Sequence, residues 1–159
     1  MRVLPEDPGL LTISTDGAAR GNPGPAGIGV VIEGPGGRVL DQISQGIGVA
    51  TNNVAEYTAA IEALRRAQSL GGRQLVLRSD SRLLIEQLAG RWRVKNPTLL
   101  RLHQEARSLL KGFASVGFEH IPRELNRAAD RLANQGVDEW LAGPGRGYRP
   151  PEPIPELFD

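Results

Sequence analysis

Four acids have the company and spacing to do chemistry: Asp16 in "TDGAARGNPG", Glu56 in "TNNVAEY", Asp80 in "VLRSDSRLLI" and Asp130 in "NRAADRLANQG". Asp16 closes an apolar run and is followed at once by a Gly- and Pro-rich turn. A turn of that kind suggests a phosphate cradle. No Lys completes a P-loop, however, and the residues after Gly24 read as another strand, so a dinucleotide fingerprint fails as well. The carboxylate itself therefore needs a use. Acids gathered in one place repel each other, and a divalent cation is their natural partner. Oxygen-only donors, with no cysteine in the chain and no paired histidine, favour Mg²⁺ or Mn²⁺ over zinc. Two such ions about 4 Å apart can hold the attacking and leaving oxygens of a phosphoryl displacement.

Taken singly, each acid has an ordinary alternative. Glu56 follows Asn53 by three residues and could close a capping box. Asp80 could cap the helix after it, and Asp16 could bond turn amides. Asp130 could be a solvated helix residue. Its neighbours Ala128, Ala129 and Ala133 nonetheless suggest a packed face, where an unpaired charge is costly. The four together argue for a shared site.

The elements that must position these acids follow from periodicity. Leu10 to Asp16 alternates as a strand, with Leu11, Ile13 and Thr15 on one face and Thr12, Ser14 and Asp16 on the other. Asn22-Pro23-Gly24 is turn chemistry. Gly27 to Glu33 and Arg38 to Gly46 read as further strands around a second turn, Gly34 to Gly37, which makes an antiparallel meander. From Asn53 to Leu70 the period becomes helical, with Val54, Tyr57, Ile61, Leu64 and Ala67 in one stripe, ended by Gly71-Gly72. A short strand follows over Gln74 to Arg78 and a short helix over Ser81 to Ala89. After a basic link, Pro97 opens a helix carrying Leu99, Leu102, Ala106, Leu109 and Leu110. Val116 to Ile121 is a fifth strand and Asn126 to Trp140 the last helix. The order β-β-β-α-β-α-α-β-α implies an α/β domain, a mixed five-stranded sheet with parallel crossovers after the meander and helices on both faces. In such a sheet, functional groups gather at the carboxyl ends of the parallel strands. That puts Asp16 and Asp80 at strand ends, Glu56 in the first turn of the long helix and Asp130 inside the last one.

Bulk properties set the bounds. The chain has 159 residues, 40% hydrophobic and 23% charged, enough for one domain with a real core. The expected organisation is a domain over residues 1–141 and a Pro-rich tail over 142–159, read as extended or disordered chain, with docking on the protein's own surface or on a replication partner as the alternative. A net charge of +1 gives no global field to draw in nucleic acid, so such binding would be local. The absence of cysteine excludes thiol catalysis and a disulfide scaffold. No apolar run spans a membrane and the N-terminus lacks a signal-peptide core, so the reading is a cytoplasmic monomer with no membrane partner.

The pieces "TDGAARGNPGPAGIGVVI", "TNNVAEYTAAIEAL", "LRSDSRLLIEQL", "RVKNP" and "RELNRAADRLAN", in that order, resemble the type 1 ribonuclease H family over about Thr12 to Asn134. The resemblance implies a ribonuclease H-like sheet. It implies endonucleolytic hydrolysis of the RNA strand of an RNA/DNA hybrid, leaving 5′-phosphate and 3′-hydroxyl ends, with two Mg²⁺ ions for which Mn²⁺ can substitute. It assigns the metal to Asp16, Glu56, Asp80 and Asp130. It further implies that Gly17, Asn22, Asn52, Gln87 and Asn126 meet the substrate, several of them at ribose hydroxyls or bases in the minor groove, and that Thr51 helps to hold a DNA-strand phosphate.

The chain departs from the family pattern at two places. Many relatives carry a flexible-loop His before the last acid. Here His120 comes too early, and Arg123 stands in that segment as the residue to hold the scissile phosphate or assist product release. An Arg cannot act as general base. Some relatives also insert a basic, Trp-rich handle between the second and third helices. Here only "GRWRVKNP" joins them, with Trp92 among Arg91, Arg93 and Lys95 as a small patch for phosphates and a sugar face. Weaker substrate binding is expected without the handle, and some handle-less relatives also cut double-stranded RNA. A resolvase or transposase core of the same architecture, and a hybrid-binding module that has lost its chemistry, are the competing classes. The "GNPG" and "TNNVAEY" segments argue against the first, and the presence of all four acids against the second.

Overall fold

The computed structural model describes residues 8–143. Five strands and four helices follow in the expected order: β1 (Leu10–Ala19), β2 (Gly24–Glu33), β3 (Val39–Ala50), α1 (Asn52–Ser69), β4 (Gln74–Ser79), α2 (Arg82–Leu88), α3 (Pro97–Leu110), β5 (Ser115–His120) and α4 (Arg127–Ala142). The sheet order is β3-β2-β1-β4-β5. β1 runs antiparallel to β2 and parallel to β4, and β4 runs parallel to β5. This is the mixed sheet that the sequence predicts. α4 extends to Ala142, and residues 144–159, most of the expected tail, lie outside the described residues. Among the described residues, no helix is long and apolar enough to cross a membrane.

Two helices sandwich the centre of the sheet because their contact faces are small. α1 presents Ala55, Ala59, Ala60, Ala63 and Ala67, all buried, along with Val54, Tyr57, Ile61 and Leu64. Its apolar face closes over Leu11, Ile13, Ile28, Val30 and Ile32 of β1 and β2. Each fully buried Leu or Ile contributes about 1.5–3 kcal/mol in apolar transfer. α4 lies on the other face, over β1, β2 and β3. It comes close because β2 offers Gly27 and Gly29 there: a Cβ on Gly29 would stand 2.0 Å from the Ala129 carbonyl oxygen, and one on Gly27 2.4 Å from that of Ala133.

Three strands run further than expected, β2 beginning at Gly24 rather than at Gly27. β1 continues past Asp16 to Ala19, because Gly17, Ala18 and Ala19 remain paired with Ile28, Gly27 and Ala26 of β2. β3 continues to Ala50. Asp16 is therefore inside its strand, not at its end. Its pairing with β4 stops one residue earlier, at Thr15 opposite Ser79, so relative to the parallel strands Asp16 and Asp80 sit side by side at the carboxyl end.

Candidate active site

The sheet's directional logic brings the acids together. Beyond the last parallel pair, Thr15 with Ser79, come Asp16 and Asp80. Asp16 shares the α4 face with its cross-strand partner Gly29, while Gly17 faces α1. A Cβ on Gly17 would lie 2.2 Å from the Ala55 carbonyl carbon, so only glycine lets α1 pass this close. The approach sets the Glu56 carboxylate on the Gly17 backbone N–H, which donates to Glu56 Oε1. Asp16, Glu56 and Asp80 each offer an oxygen within 4.8 Å of the others. Asp130 and Arg123 complete the wall of the same cleft, about 470 Å³ in volume, together with Gly17, Asn52, Asn53 and Ser81.

None of the capping alternatives survives. The N-cap of α1 is Thr51, whose hydroxyl oxygen accepts from Val54 N–H, and Glu56 lies beyond the first turn. The N-cap of α2 is Ser81, accepting from Leu84 N–H, which frees Asp80. Asp130 differs from expectation in another way. It is exposed, since the buried stripe of α4 is Ala129, Ala133, Gly136 and Val137, and Ala128 faces solvent. The flanking alanines therefore do not bury its charge; α4 instead leans it over the rim of the cleft.

Electrostatics mark the cluster as incomplete. Asp16 is 5% exposed and Glu56 8%. Burial pushes the Asp16 carboxyl up to about 8, reinforced by the carboxylates of Asp80 and Asp130 and opposed by the Arg123 guanidinium. Burial, then Asp16, also raise Glu56 well above the carboxylate range, against the pull of the Gly17 N–H. Crowded, desolvated carboxylates hold protons when no cation compensates them. The donor set is all oxygen, as Mg²⁺ or Mn²⁺ requires.

The residues expected around the acids divide. Asn22 and Asn52 flank the cleft: Asn22 Oδ1 accepts from Asn52 N–H (3.0 Å) and Asn52 Oδ1 from Ala19 N–H (3.1 Å). Their Nδ2 groups make no hydrogen bond to another described residue. Trp92 is 43% exposed, so it is not a core residue, and the Arg82 guanidinium lies 5.5 Å from its ring centre. Gln87 stands apart from the acid cleft and lines a hollow beside Trp92 and Arg93. It is buried, accepts from the Tyr57 hydroxyl (2.6 Å) and donates to the Arg93 carbonyl (3.0 Å), thereby shaping the link that carries Trp92. Asn126 is likewise buried, and donates to the Thr15 carbonyl at 2.9 Å, fastening the start of α4 beside Asp16. Thr51, also buried, serves the α1 cap. His120 contacts the Asp80 carbonyl oxygen at 3.2 Å, while Arg123 lines the cleft.

Sequence reasoning missed Arg20 and Asn134. Asn134 Nδ2 donates to Asp130 Oδ1 (3.3 Å), and Arg20 reaches Asn134. The i,i+4 spacing of Asp130 and Asn134 was the available signal.

Comparison with known proteins agrees with this geometry. Residues 14–136 match the family model described as reverse transcriptase-like. The chain is 43% identical over 137 residues to a ribonuclease HI of Halobacterium salinarum, covering 86% of this chain and 69% of that protein. It is 46% identical over 129 residues to a Mycobacterium tuberculosis protein named as bifunctional, but spans only 35% of that protein's length. The crystal structure of the H. salinarum RNase H1 superposes with a TM-score of 0.80 at 44% identity, covering 82% of this chain and 98% of that one. The structure of LC11-RNase H1 in complex with an RNA/DNA hybrid superposes at 0.79 and 43% identity, covering 82% and 99%. With the acid cluster at the carboxyl end of β1 and β4 and these likenesses along most of its length, the chain belongs to the type 1 ribonuclease H family.

Proposed function

We propose that the protein is an endoribonuclease that hydrolyses the RNA strand of RNA/DNA hybrids, leaving 5′-phosphate and 3′-hydroxyl ends. The convergence of Asp16, Glu56 and Asp80 within 4.8 Å, with Asp130 on the same cleft, carries this reading. The relative solved with a hybrid bound, at 43% identity, supports the choice of substrate. The four acids would hold two Mg²⁺ ions, which supply activation of a water nucleophile and neutralisation of the leaving oxygen.

The chain's own groups do the rest. Asp16 and Glu56, whose carboxyls burial raises in the absence of a cation, would hold the metal as carboxylates, so that its binding would release protons. Arg123, always protonated, draws the scissile phosphate into the cleft. The Asn22 and Asn52 amides donate to ribose hydroxyls, which only RNA offers. Trp92 and Arg82 stack beside the companion strand.

Cleavage of a labelled RNA/DNA hybrid in Mg²⁺ or Mn²⁺, beside the same RNA single-stranded and as double-stranded RNA and beside duplex and branched DNA, tests the reading with Asp16→Asn as control. Hybrid cutting that the substitution abolishes is expected. Cutting of double-stranded RNA would widen the substrate class. Cutting of branched or duplex DNA alone would instead identify a DNA-directed nuclease, and no cutting in Mg²⁺ or Mn²⁺ a binding module.

A further inference from the structure

We propose that Arg20 and Asn134 are positioning residues for Asp130 and tie the turn carrying Asn22 to that acid, an inference that rests on reading the acid cluster as a metal centre. Asn134 stands one helical turn after Asp130 on α4. Its Nδ2 donates to the Asp130 backbone carbonyl at 3.0 Å and to Asp130 Oδ1 at 3.3 Å. Asp130 is exposed, so without a donor its carboxylate would rotate freely. The amide engages one oxygen and leaves the other to a cation.

Arg20 holds the holder. Its Nη2 donates to the Asn134 carbonyl oxygen (3.3 Å) and to Asn134 Oδ1 (3.4 Å), and its Nη1 pairs with Asp138 Oδ1 at 2.7 Å. A cation on Oδ1 polarises the Asn134 amide and strengthens the donor aimed at Asp130. At its other end, Arg20 N–H donates to the Pro25 carbonyl at 2.8 Å, closing the turn of Gly21 to Gly24. That turn carries Asn22, whose side chain locks the start of α1. One guanidinium therefore joins the turn expected to meet the ribose to the acid that α4 leans over the cleft. An exposed Arg–Asp pair alone contributes little to stability, which leaves orientation as the stronger reason for the arrangement. Partners that orient metal ligands from behind typically change metal affinity by about 10- to 100-fold when removed.

The test uses the full chain with Asn134→Ala, Arg20→Ala and both together, and reads Mg²⁺ affinity by calorimetry without substrate. Each single variant is expected to bind Mg²⁺ about 10-fold more weakly, with the metal-free thermal midpoint nearly unchanged. The double variant should be no worse than Asn134→Ala, because the two act in series. Arg20→Lys keeps the charge but loses the fork, and should recover only part of the affinity. Should Asn134→Ala fail to fold, Asn134→Gln keeps the amide one methylene out of place and is expected to weaken Mg²⁺ binding likewise. A lowered metal-free midpoint with unchanged Mg²⁺ affinity would overturn the proposal and leave Arg20 as a surface staple. A wild-type protein that binds Mg²⁺ without cutting hybrid would refute the functional reading alone; one that binds no Mg²⁺ would refute both.

Discussion

Asn22 and Asn52 clasp the β1–β2 turn to the head of α1 in both directions: Asn22 Oδ1 accepts from the backbone N–H of Asn52 at 3.0 Å, and Asn52 Oδ1 accepts from that of Ala19 at 3.1 Å. Each side chain uses its oxygen for the fold, which leaves its Nδ2 to donate to a substrate.

The clasp predicts a double effect for Asn52→Ala. Loss of the bond to Ala19 should cost about 1 kcal/mol of stability. Loss of the donor should raise KM for the hybrid several-fold with less change in kcat. Denaturant unfolding and steady-state kinetics on the same variant would check both. An unchanged KM would remove Asn52 from the substrate-contact set.

Asp16 makes stability depend on pH and on metal. Its carboxyl is pushed up to about 8 in the metal-free fold, against an ordinary 3.8. Between those values the folded state keeps a proton that the unfolded chain has lost, so stability falls as pH rises through that window. The loss is on the order of 1.4 kcal/mol per unit of difference at most. In EDTA the thermal midpoint should fall from pH 5 to pH 8, and Asp16→Asn should flatten that slope while lowering turnover by about three orders of magnitude. Mg²⁺ should restore the wild-type midpoint at pH 8. A midpoint independent of pH in EDTA would argue against a crowded, uncompensated cluster.

Arg123 and His120 make opposite pH predictions. Arg123→Ala should lower kcat/KM by about 10- to 100-fold and leave the shape of the pH–rate profile unchanged, because the guanidinium does not titrate. His120 touches the Asp80 backbone carbonyl at 3.2 Å, so His120→Ala should alter rate modestly without removing a limb of the profile. A limb lost in His120→Ala alone would make His120 the proton-transfer group.

Gly29 controls the gap between Asp16 and Asp130. It pairs with Asp16 across the strands, and a Cβ there would meet the Ala129 carbonyl oxygen at 2.0 Å. Gly29→Ala must push α4 off the sheet and carry Asp130 with it. A loss of about 2 kcal/mol, or roughly 5 °C in midpoint, is expected. Turnover at saturating substrate should drop further than the folded fraction does, and equal losses would separate Asp130 from the chemistry.

The order of the elements, the sheet they build and the four acids that come to line one cleft were legible one segment at a time. These are local or near-local signals. Apolar period distinguishes strand from helix, Gly and Pro mark turns, and a carboxylate beside a turn or within a small-residue helix is visible one segment at a time. Tertiary structure decided how far β1 runs, because pairing of Gly17 to Ala19 with β2 overrides the turn signal of the glycines. It decided that Thr51 and Ser81, not Asn53 and Asp80, cap their helices, since each cap depends on where the preceding strand delivers the chain. The family resemblance implies that the amides of Gln87 and Asn126 meet a substrate. Their partners, Tyr57 and the Thr15 carbonyl, lie 30 and 111 residues away, so only folding shows that they are already engaged. Arg20 and Asn134 are 114 residues apart and meet for the same reason: two glycines of β2 admit α4 closely enough for a turn residue to reach it.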